Sequence, residues 1–294
     1  MIEKIKNMNI GLVLENVDLK KYTTYKVGGT GKLLVLPDNT SKLIELLEYI
    51  KKNNIKYKII GNGSNLIFVN DFDGILIKLD KLNEIIISDN EIVVGAGVSL
   101  IGLALKVSRM GLKGMEFAPG IPGTIGGAIY MNAGAYKSDM ASIIENVKLI
   151  DENNNIVVLN KEELEFGYRK SILQRKKYVC IEATFKLEHG NVDEIMELIE
   201  KRKQKRIETQ PLEYPSAGSV FRNPENGYAW QYIDDIGYKG KRIGDAVVSS
   251  KHANFIINVG NATGSDIKKL IYDIKTKVKD KYNVDLKIEQ EIVE

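Results

Sequence analysis

The stretch from Gly111 to Ala135, G-L-K-G-M-E-F-A-P-G-I-P-G-T-I-G-G-A-I-Y-M-N-A-G-A, constrains the fold of this chain more than any other. Gly and Pro recur every few residues, without the Ser/Gln-rich character of a linker. They alternate with Met115, Phe117, Ile121, Ile125, Ile129 and Met131, which are apolar enough to be buried. Backbone N–H and C=O groups taken out of water need partners, so an irregular apolar stretch points to a ligand that supplies them. Glycines let the backbone approach that ligand closely, and N–H groups on successive turns make an anion-binding concavity suited to a pyrophosphate. The same residues also fit a glycine-rich turn region packed for its own sake.

With 294 residues, 44% of them hydrophobic and 28% charged, the chain is long enough for two or three cores. Its net charge of +3 gives no field that argues for nucleic acid. The basic run Lys201 to Arg206 reads as the solvated face of a helix. A single cysteine, Cys180, excludes an internal disulfide and makes a cytoplasmic setting the default. His189 and His252 are the two histidines, too few with one cysteine for a zinc cluster of usual spacing. No apolar run approaches a membrane span, and Met1 to Asn9 lacks a signal-peptide core.

Taken in order, the chain reads as a strand at Lys32 to Leu36, a helix capped by Thr40 or Ser41, and a strand at Lys56 to Ile60, a β-α-β order that suggests a small parallel unit. That last strand runs into Gly61-Asn62-Gly63-Ser64-Asn65-Leu66. Its two glycines and its side-chain donors suit phosphate oxygens, and a hairpin turn suits them equally. The loop opens no clear helix and carries no Gly-Lys-Ser/Thr, so it is neither a dinucleotide fingerprint nor a P-loop. Strands at Ile75 to Leu79, Glu84 to Ser88 and Glu91 to Gly95 follow, the last two joined through Asp89-Asn90 as a hairpin. Ser99 caps a helix closed by Gly111. Strands at Asn146 to Asp151, Ile156 to Leu159 and Tyr178 to Leu187 surround Phe166-Gly167-Tyr168-Arg169-Lys170-Ser171. A connecting helix spans Val192 to Thr209. Beyond it lie a helix from Ala229 to Ile236, a strand Ala253 to Asn258, a helix from Ser265, and a strand-like tail from Val284 to Val293. The fold class is α+β.

Six motifs in order, Y-T-T-Y-K-V-G-G, G-N-G-S-N-L, A-P-G-I-P-G-T-I-G-G-A-I-Y-M-N-A-G-A-Y, F-G-Y-R-K-S, A-G-S-V-F-R-N-P and K-H-A-N-F-I-I-N, closely resemble the UDP-N-acetylenolpyruvoylglucosamine reductase family over nearly the whole chain. The resemblance implies a flavoenzyme of peptidoglycan precursor synthesis, with a two-lobed FAD-binding domain of the p-cresol methylhydroxylase type and a third, α+β substrate-binding domain. It places the lobes at 1–80 and 81–205 and the substrate domain at 206–294. It further implies that NADPH reduces FAD and that reduced flavin passes hydride to UDP-N-acetylglucosamine enolpyruvate, giving UDP-N-acetylmuramate. The short span between Arg169 and Ser219 resembles the family's shorter type, which lacks an inserted substrate loop. A monomer is expected.

The chemistry needs a cation beside the substrate carboxylate and a proton donor at the carbon that hydride does not attack. Arg169 suits the first task through its planar, permanently charged fork, and the resemblance makes Ser219 the donor. The third member is an acid that holds Arg169 or a water. Family tails read L-x-P-E-V, whereas this chain reads Leu286-Lys287-Ile288-Glu289-Gln290, so spacing assigns the role to Glu289 with Glu291 competing. For non-covalent FAD the resemblance implies Gly61, Asn62, Gly63, Ser64, Asn65 and Leu66 around the pyrophosphate, with Ala118, Pro119, Gly120, Gly123, Thr124, Gly126 and Gly127 closing over it. Arg222 faces flavin, nicotinamide phosphate or substrate. Tyr168, Asn223 and Lys251 are expected at the substrate, and Lys239 and Arg242 are further candidate phosphate contacts. Two rival readings are an FAD-dependent oxidase of an alcohol or phenol, against which the chain lacks a covalent-flavin His or Cys and carries G-S-V-F-R-N-P, and a non-catalytic nucleotide-sugar binding protein, which would keep the glycines but have no use for the Ser219 donor.

Overall fold

A computed structural model describes residues 1–294. They group into a larger compact unit of Met1–Glu15, Leu33–Asn62 and Gly74–Gln204, and a smaller one of Asn16–Lys32, Gly63–Asp73 and Lys205–Glu294.

The larger unit is built on a five-stranded antiparallel sheet in the order Ile156–Asn160, Ile144–Ile150, Val179–Lys186, Glu91–Gly95, Ile85–Ser88. The hairpin Ile85–Gly95 turns where the sequence predicts, with Asp89 in the left-handed region at φ +54°. A second sheet runs in the order Gly11–Asp18, Thr30–Pro37, Phe72–Lys78, Tyr57–Ile60. Tyr57–Ile60 pairs in parallel with Phe72–Lys78, which stands between it and Thr30–Pro37. The two strands of the expected β-α-β unit are therefore not neighbours. The helix between them, Thr40–Lys52, starts one residue earlier than expected: Asn39, not Thr40 or Ser41, accepts from the Lys42 amide. Ser99 caps Leu100–Arg109 as read from the sequence, and Gly111 follows its end at φ +76°. Leu43, Leu46, Leu103, Val107, Phe117 and Phe185 lie in the core of this unit, each buried.

The glycine-rich stretch folds into a run of turns that leads into a short helix. Ala118 donates to Met115, Ile121 to Ala118 and Gly123 to Ile121, and the helix Ile125–Tyr130 follows. Ile125 and Gly126 donate to Val98 and Ala96. Met115, Phe117, Ile125 and Ile129 are buried as expected, whereas Ile121 and Met131 are partly exposed.

The smaller unit packs the helix Gly264–Tyr282 on the antiparallel sheet Arg242–Ile243, Ala246–Val248, Ile256–Asn258, with helix Ala229–Asp235 alongside. Thr263 and Asp266 form a reciprocal capping box at its start, and Ile267, Leu270, Ile271, Ile274 and Val278 are buried at helical spacing. Two expected strands are shorter than the sequence suggests. Phe255 donates to His252 in a turn, so regular pairing begins only at Ile256. In the tail only Glu291–Val293 is a strand, parallel to Leu66–Phe68, because the residues before it bridge singly to Phe221 through Ile288.

Candidate active site

In the larger unit the segment carrying Arg169 is fastened to the end of the glycine-rich stretch. Gly167 and Lys170 exchange backbone hydrogen bonds of 3.1 and 3.0 Å, which leaves Tyr168 and Arg169 at the corners of a tight turn. Arg169 has φ +56°, a conformation costly for a side chain of this size and held only by its surroundings. Those surroundings are specific. Asn132, 1% exposed, donates to the Gly167 carbonyl at 2.9 Å and to Asp139 at 3.0 Å, while its own oxygen accepts from Ala141. Ser171 and Gln174 both donate to the Tyr130 carbonyl, and Gln174 also to that of Arg169. The Arg169 guanidinium donates to Gly134 at 2.7 Å and lies 5.2 Å from the ring of Tyr168, which is exposed. The motifs F-G-Y-R-K-S and M-N-A-G-A are thus one structure. Asn132 and Gln174 were not singled out from sequence; a polar Asn inside an otherwise apolar run is the signal that marks the first.

Two glycine-bearing segments also meet in this unit. A Cβ on Gly61 would lie 2.7 Å from Thr124 Oγ1, the oxygen that caps the Ile125–Tyr130 helix by accepting from Gly127. A Cβ on Gly123 would meet nothing within 4 Å, and one on Gly127 only Thr124 Oγ1 at 3.4 Å. Gly61 and Gly127 thus border the Thr124 hydroxyl while Gly123 faces open space, a strip of bare backbone around that hydroxyl, with Asn62 exposed beside Gly61 and Pro119 and Gly120 partly exposed. Such a strip fits a flat ring or a phosphate chain. Ala118 is fully buried, and Gly126 packs its α-carbon against Ala96.

In the smaller unit Gly63 has φ +63°, and a Cβ there would fall 1.9 Å from the Tyr22 carbonyl oxygen. Its glycine is required by the neighbouring chain. Thr24 donates its amide to Gly63, while its own hydroxyl is buried without a partner. Thr24 was not named as a site residue, and its orphaned oxygen makes it a candidate phosphate ligand beside the half-buried Ser64. Asn65 directs its side-chain amide to the Glu289 carbonyl at 3.1 Å, and its carbonyl accepts from Glu291, so this loop holds the tail that carries both candidate acids. Leu66 is buried in the strand that follows.

Ser219 forms an isolated antiparallel bridge with Phe255, at a bend whose backbone is anchored on two sides. Asn254, 3% exposed, grips Phe221 with both ends of its side chain, at 3.0 and 2.8 Å, and Glu289 donates to Val220. The Ser219 hydroxyl is partly exposed and makes no hydrogen bond within the protein. Arg222 has its Nε buried with no partner, as a group awaiting an anion would. Asn223 accepts from the Ala229 amide at 3.1 Å. Lys251 donates to the Ile207 carbonyl at 2.5 Å and lies 4.0 Å from Glu213. Lys239 pairs with Asp234 and Arg242 with Asp245. Cys180 is buried in a strand of the larger unit, where burial pushes its thiol up to about 12, and the exposed His189 pairs with Asp89.

Residues 31–160 match the FAD binding domain family, and residues 210–293 match UDP-N-acetylenolpyruvoylglucosamine reductase, C-terminal domain. The chain is 47% identical to the UDP-N-acetylenolpyruvoylglucosamine reductase of Anoxybacillus flavithermus, over 99% of this chain and 97% of that protein. The chain belongs to the UDP-N-acetylenolpyruvoylglucosamine reductase family. The enzyme of the same name from Caldanaerobacter subterraneus is 44% identical, over 100% of this chain and 98% of that one. Among solved structures, UDP-N-acetylenolpyruvylglucosamine reductase from Thermus caldophilus superposes with a TM-score of 0.81 at 32% identity, covering 96% of this chain and 98% of its own. The protein is a flavoprotein oxidoreductase. Its fold class is the one that the sequence implies, an α+β FAD-binding domain of the p-cresol methylhydroxylase type with a further α+β domain after it. No helix is long and apolar enough to cross a membrane.

Proposed function

We propose that this reductase converts UDP-N-acetylglucosamine enolpyruvate to UDP-N-acetylmuramate with NADPH as hydride donor, as a cytoplasmic monomer in peptidoglycan precursor synthesis. The observation that carries this reading is the Ser219 hydroxyl, partly exposed and unpartnered on a bend held by Asn254 and Glu289. Its oxygen is available to a ligand.

Gly61, Asn62, Gly63, Ser64, Asn65 and Leu66 form one side of the FAD site in this reading. Ala118, Pro119, Gly120, Gly123, Thr124, Gly126 and Gly127 form another, and Arg222 supplies an unneutralised donor. FAD, when bound, supplies the hydride that NADPH provides. Hydride addition at the terminal carbon of the enolpyruvyl ether leaves negative charge that spreads into the carboxylate. Arg169 receives that carboxylate with its fork, and Tyr168 and Asn223 contact the substrate with Lys251. Ser219 delivers the proton to the adjacent carbon and is reprotonated from solvent. Glu289, with Glu291 as the competing carboxylate, helps polarise the substrate. Residues 1–80 and 81–205 are assigned to the two FAD lobes and 206–294 to substrate binding.

The test uses the yellow holoenzyme without oxygen. NADPH bleaches the flavin absorbance, and UDP-N-acetylglucosamine enolpyruvate restores it. A flavin that stays oxidised in NADPH ends the reductase reading, and one that is bleached but not reoxidised by this substrate ends the substrate assignment.

A further inference from the structure

Besides Asn254, a second buried side chain holds the segment that carries Ser219. From Ala217 to Phe221, each backbone carbonyl has a partner. Those of Val220 and Phe221 accept from the Glu289 amide and from Asn254. The other three, on Ala217, Gly218 and Ser219, all face the side-chain nitrogen of Gln290, at 3.1, 3.1 and 3.4 Å. Gln290 is 4% exposed. Its oxygen is taken by the phenol of Tyr25, which is fully buried, at 3.0 Å. An amide reads equally well in two orientations until something distinguishes its ends. Here the phenol hydrogen fixes the oxygen, which leaves the nitrogen to face the carbonyls.

Two features give this arrangement a bearing on reactivity. Gly218 has φ +72° with open space where a Cβ would stand, so the backbone before Ser219 has little steric restraint of its own. Gln290 also follows Glu289 directly, so one side chain ties the donor bend to the segment that carries the acid. The sequence departs from the L-x-P-E-V tail at this position, where Gln replaces Val.

We infer that Gln290 is a positioning residue for proton delivery: its carboxamide, oriented by Tyr25, gathers the carbonyls of Ala217, Gly218 and Ser219 and so sets the Ser219 hydroxyl in place. This rests on the reading of Ser219 as proton donor. It acts on the oxidative half-reaction, in which the substrate carbon is protonated, and not on reduction of the flavin by NADPH.

The test measures both half-reactions of the FAD-loaded protein by anaerobic stopped flow. In Gln290→Met, NADPH reduces the flavin as in the parent. Reoxidation by UDP-N-acetylglucosamine enolpyruvate slows by about tenfold to a hundredfold, the scale of a small misplacement of a reacting group, and its solvent deuterium isotope effect rises. In Gln290→Glu, an ionised carboxylate faces three carbonyl oxygens with no hydrogen to offer. Relative to the parent at each pH, reoxidation in this variant recovers as the pH falls and the carboxyl regains a donor, a profile that mere loosening of the fold does not produce. If Gln290→Met does not fold, Tyr25→Phe carries the test, because it frees the amide to turn over and slows reoxidation selectively. Equal slowing of both half-reactions, or unchanged reoxidation, overturns the inference. Ser219→Ala separates the two levels: if it leaves reoxidation fast, the donor assignment falls and this inference with it. If it slows reoxidation while the Gln290 variants do not, the inference alone falls.

Discussion

The phenol of Tyr25 donates a 3.0 Å hydrogen bond to the side-chain oxygen of Gln290, joining positions 265 residues apart inside the smaller unit. Burial pushes the Tyr25 phenol well above its ordinary range, so it stays protonated and remains a donor at neutral pH. Tyr25→Phe removes the hydrogen and leaves a buried carboxamide oxygen without a partner. The expected cost is about 1–3 kcal/mol of folding stability, measured as a shift of the urea midpoint at unchanged slope. A midpoint within error of the parent would mean that water replaces the phenol.

Gly63 and Gly123 predict opposite results for the same substitution. At Gly63 a Cβ would overlap the Tyr22 carbonyl at 1.9 Å in a backbone with φ +63°, so Gly63→Ala destabilises the protein, by about 2 kcal/mol or more given both strain and clash. At Gly123 a Cβ meets nothing within 4 Å. Gly123→Ala therefore leaves the melting temperature nearly unchanged, while its affinity for FAD, measured by titrating apoprotein, falls because the methyl group stands where the cofactor approaches. Undiminished FAD affinity in Gly123→Ala would remove that residue from the proposed cradle.

These two glycines also show where the sequence was readable. The local signals carried far: the Val192–Thr209 helix has the predicted bounds, the Ile85–Gly95 hairpin turns at Asp89, and Ser99 caps its helix. A run such as Asn39-Thr40-Ser41 offers three capping side chains in succession, and only the backbone path decides among them. The glycines were legible as close approaches, but what approaches was not. At Gly63 it is the Tyr22 carbonyl and at Gly61 the Thr124 hydroxyl, and neither partner lies near in sequence. The clamps around the candidate site were the least legible part. Gln290 on Ser219 and Asn254 on Phe221 join residues tens of positions apart, and a polar residue in a mixed segment carries no periodicity that marks it as buried.

Ser219→Ala separates the proposed chemistry from the binding of either nucleotide. The hydroxyl makes no hydrogen bond within the protein, so its loss leaves the fold intact. Flavin reduction by NADPH keeps its rate, whereas the oxidative half-reaction slows by about two to four orders of magnitude, the range associated with a positioned acid. Equal loss in both half-reactions would refute the donor role.

His252 makes stability depend on pH in a definite direction. Its Nδ1 accepts from the Asn254 amide at 3.3 Å, which requires the neutral ring, and the imidazole packs edge-on to Phe255 with centroids 4.7 Å apart. Burial lowers its pKa, and the nearby charge of Lys239 adds to the effect. The folded state therefore binds fewer protons than the unfolded state, whose imidazole titrates near about 6.5. The contribution of His252 is complete above that pH and is lost as the pH falls through it toward the lower value of the folded protein. The urea midpoint should thus decline from pH 7.5 to pH 5.5, and His252→Gln, which keeps an acceptor but cannot titrate, should decline less. Parallel profiles for the two proteins would assign the acid sensitivity elsewhere. Because Asn254 holds the Phe221 backbone, protonation of His252 disturbs the same bend that presents Ser219, and the oxidative half-reaction of the parent should weaken over the same pH interval.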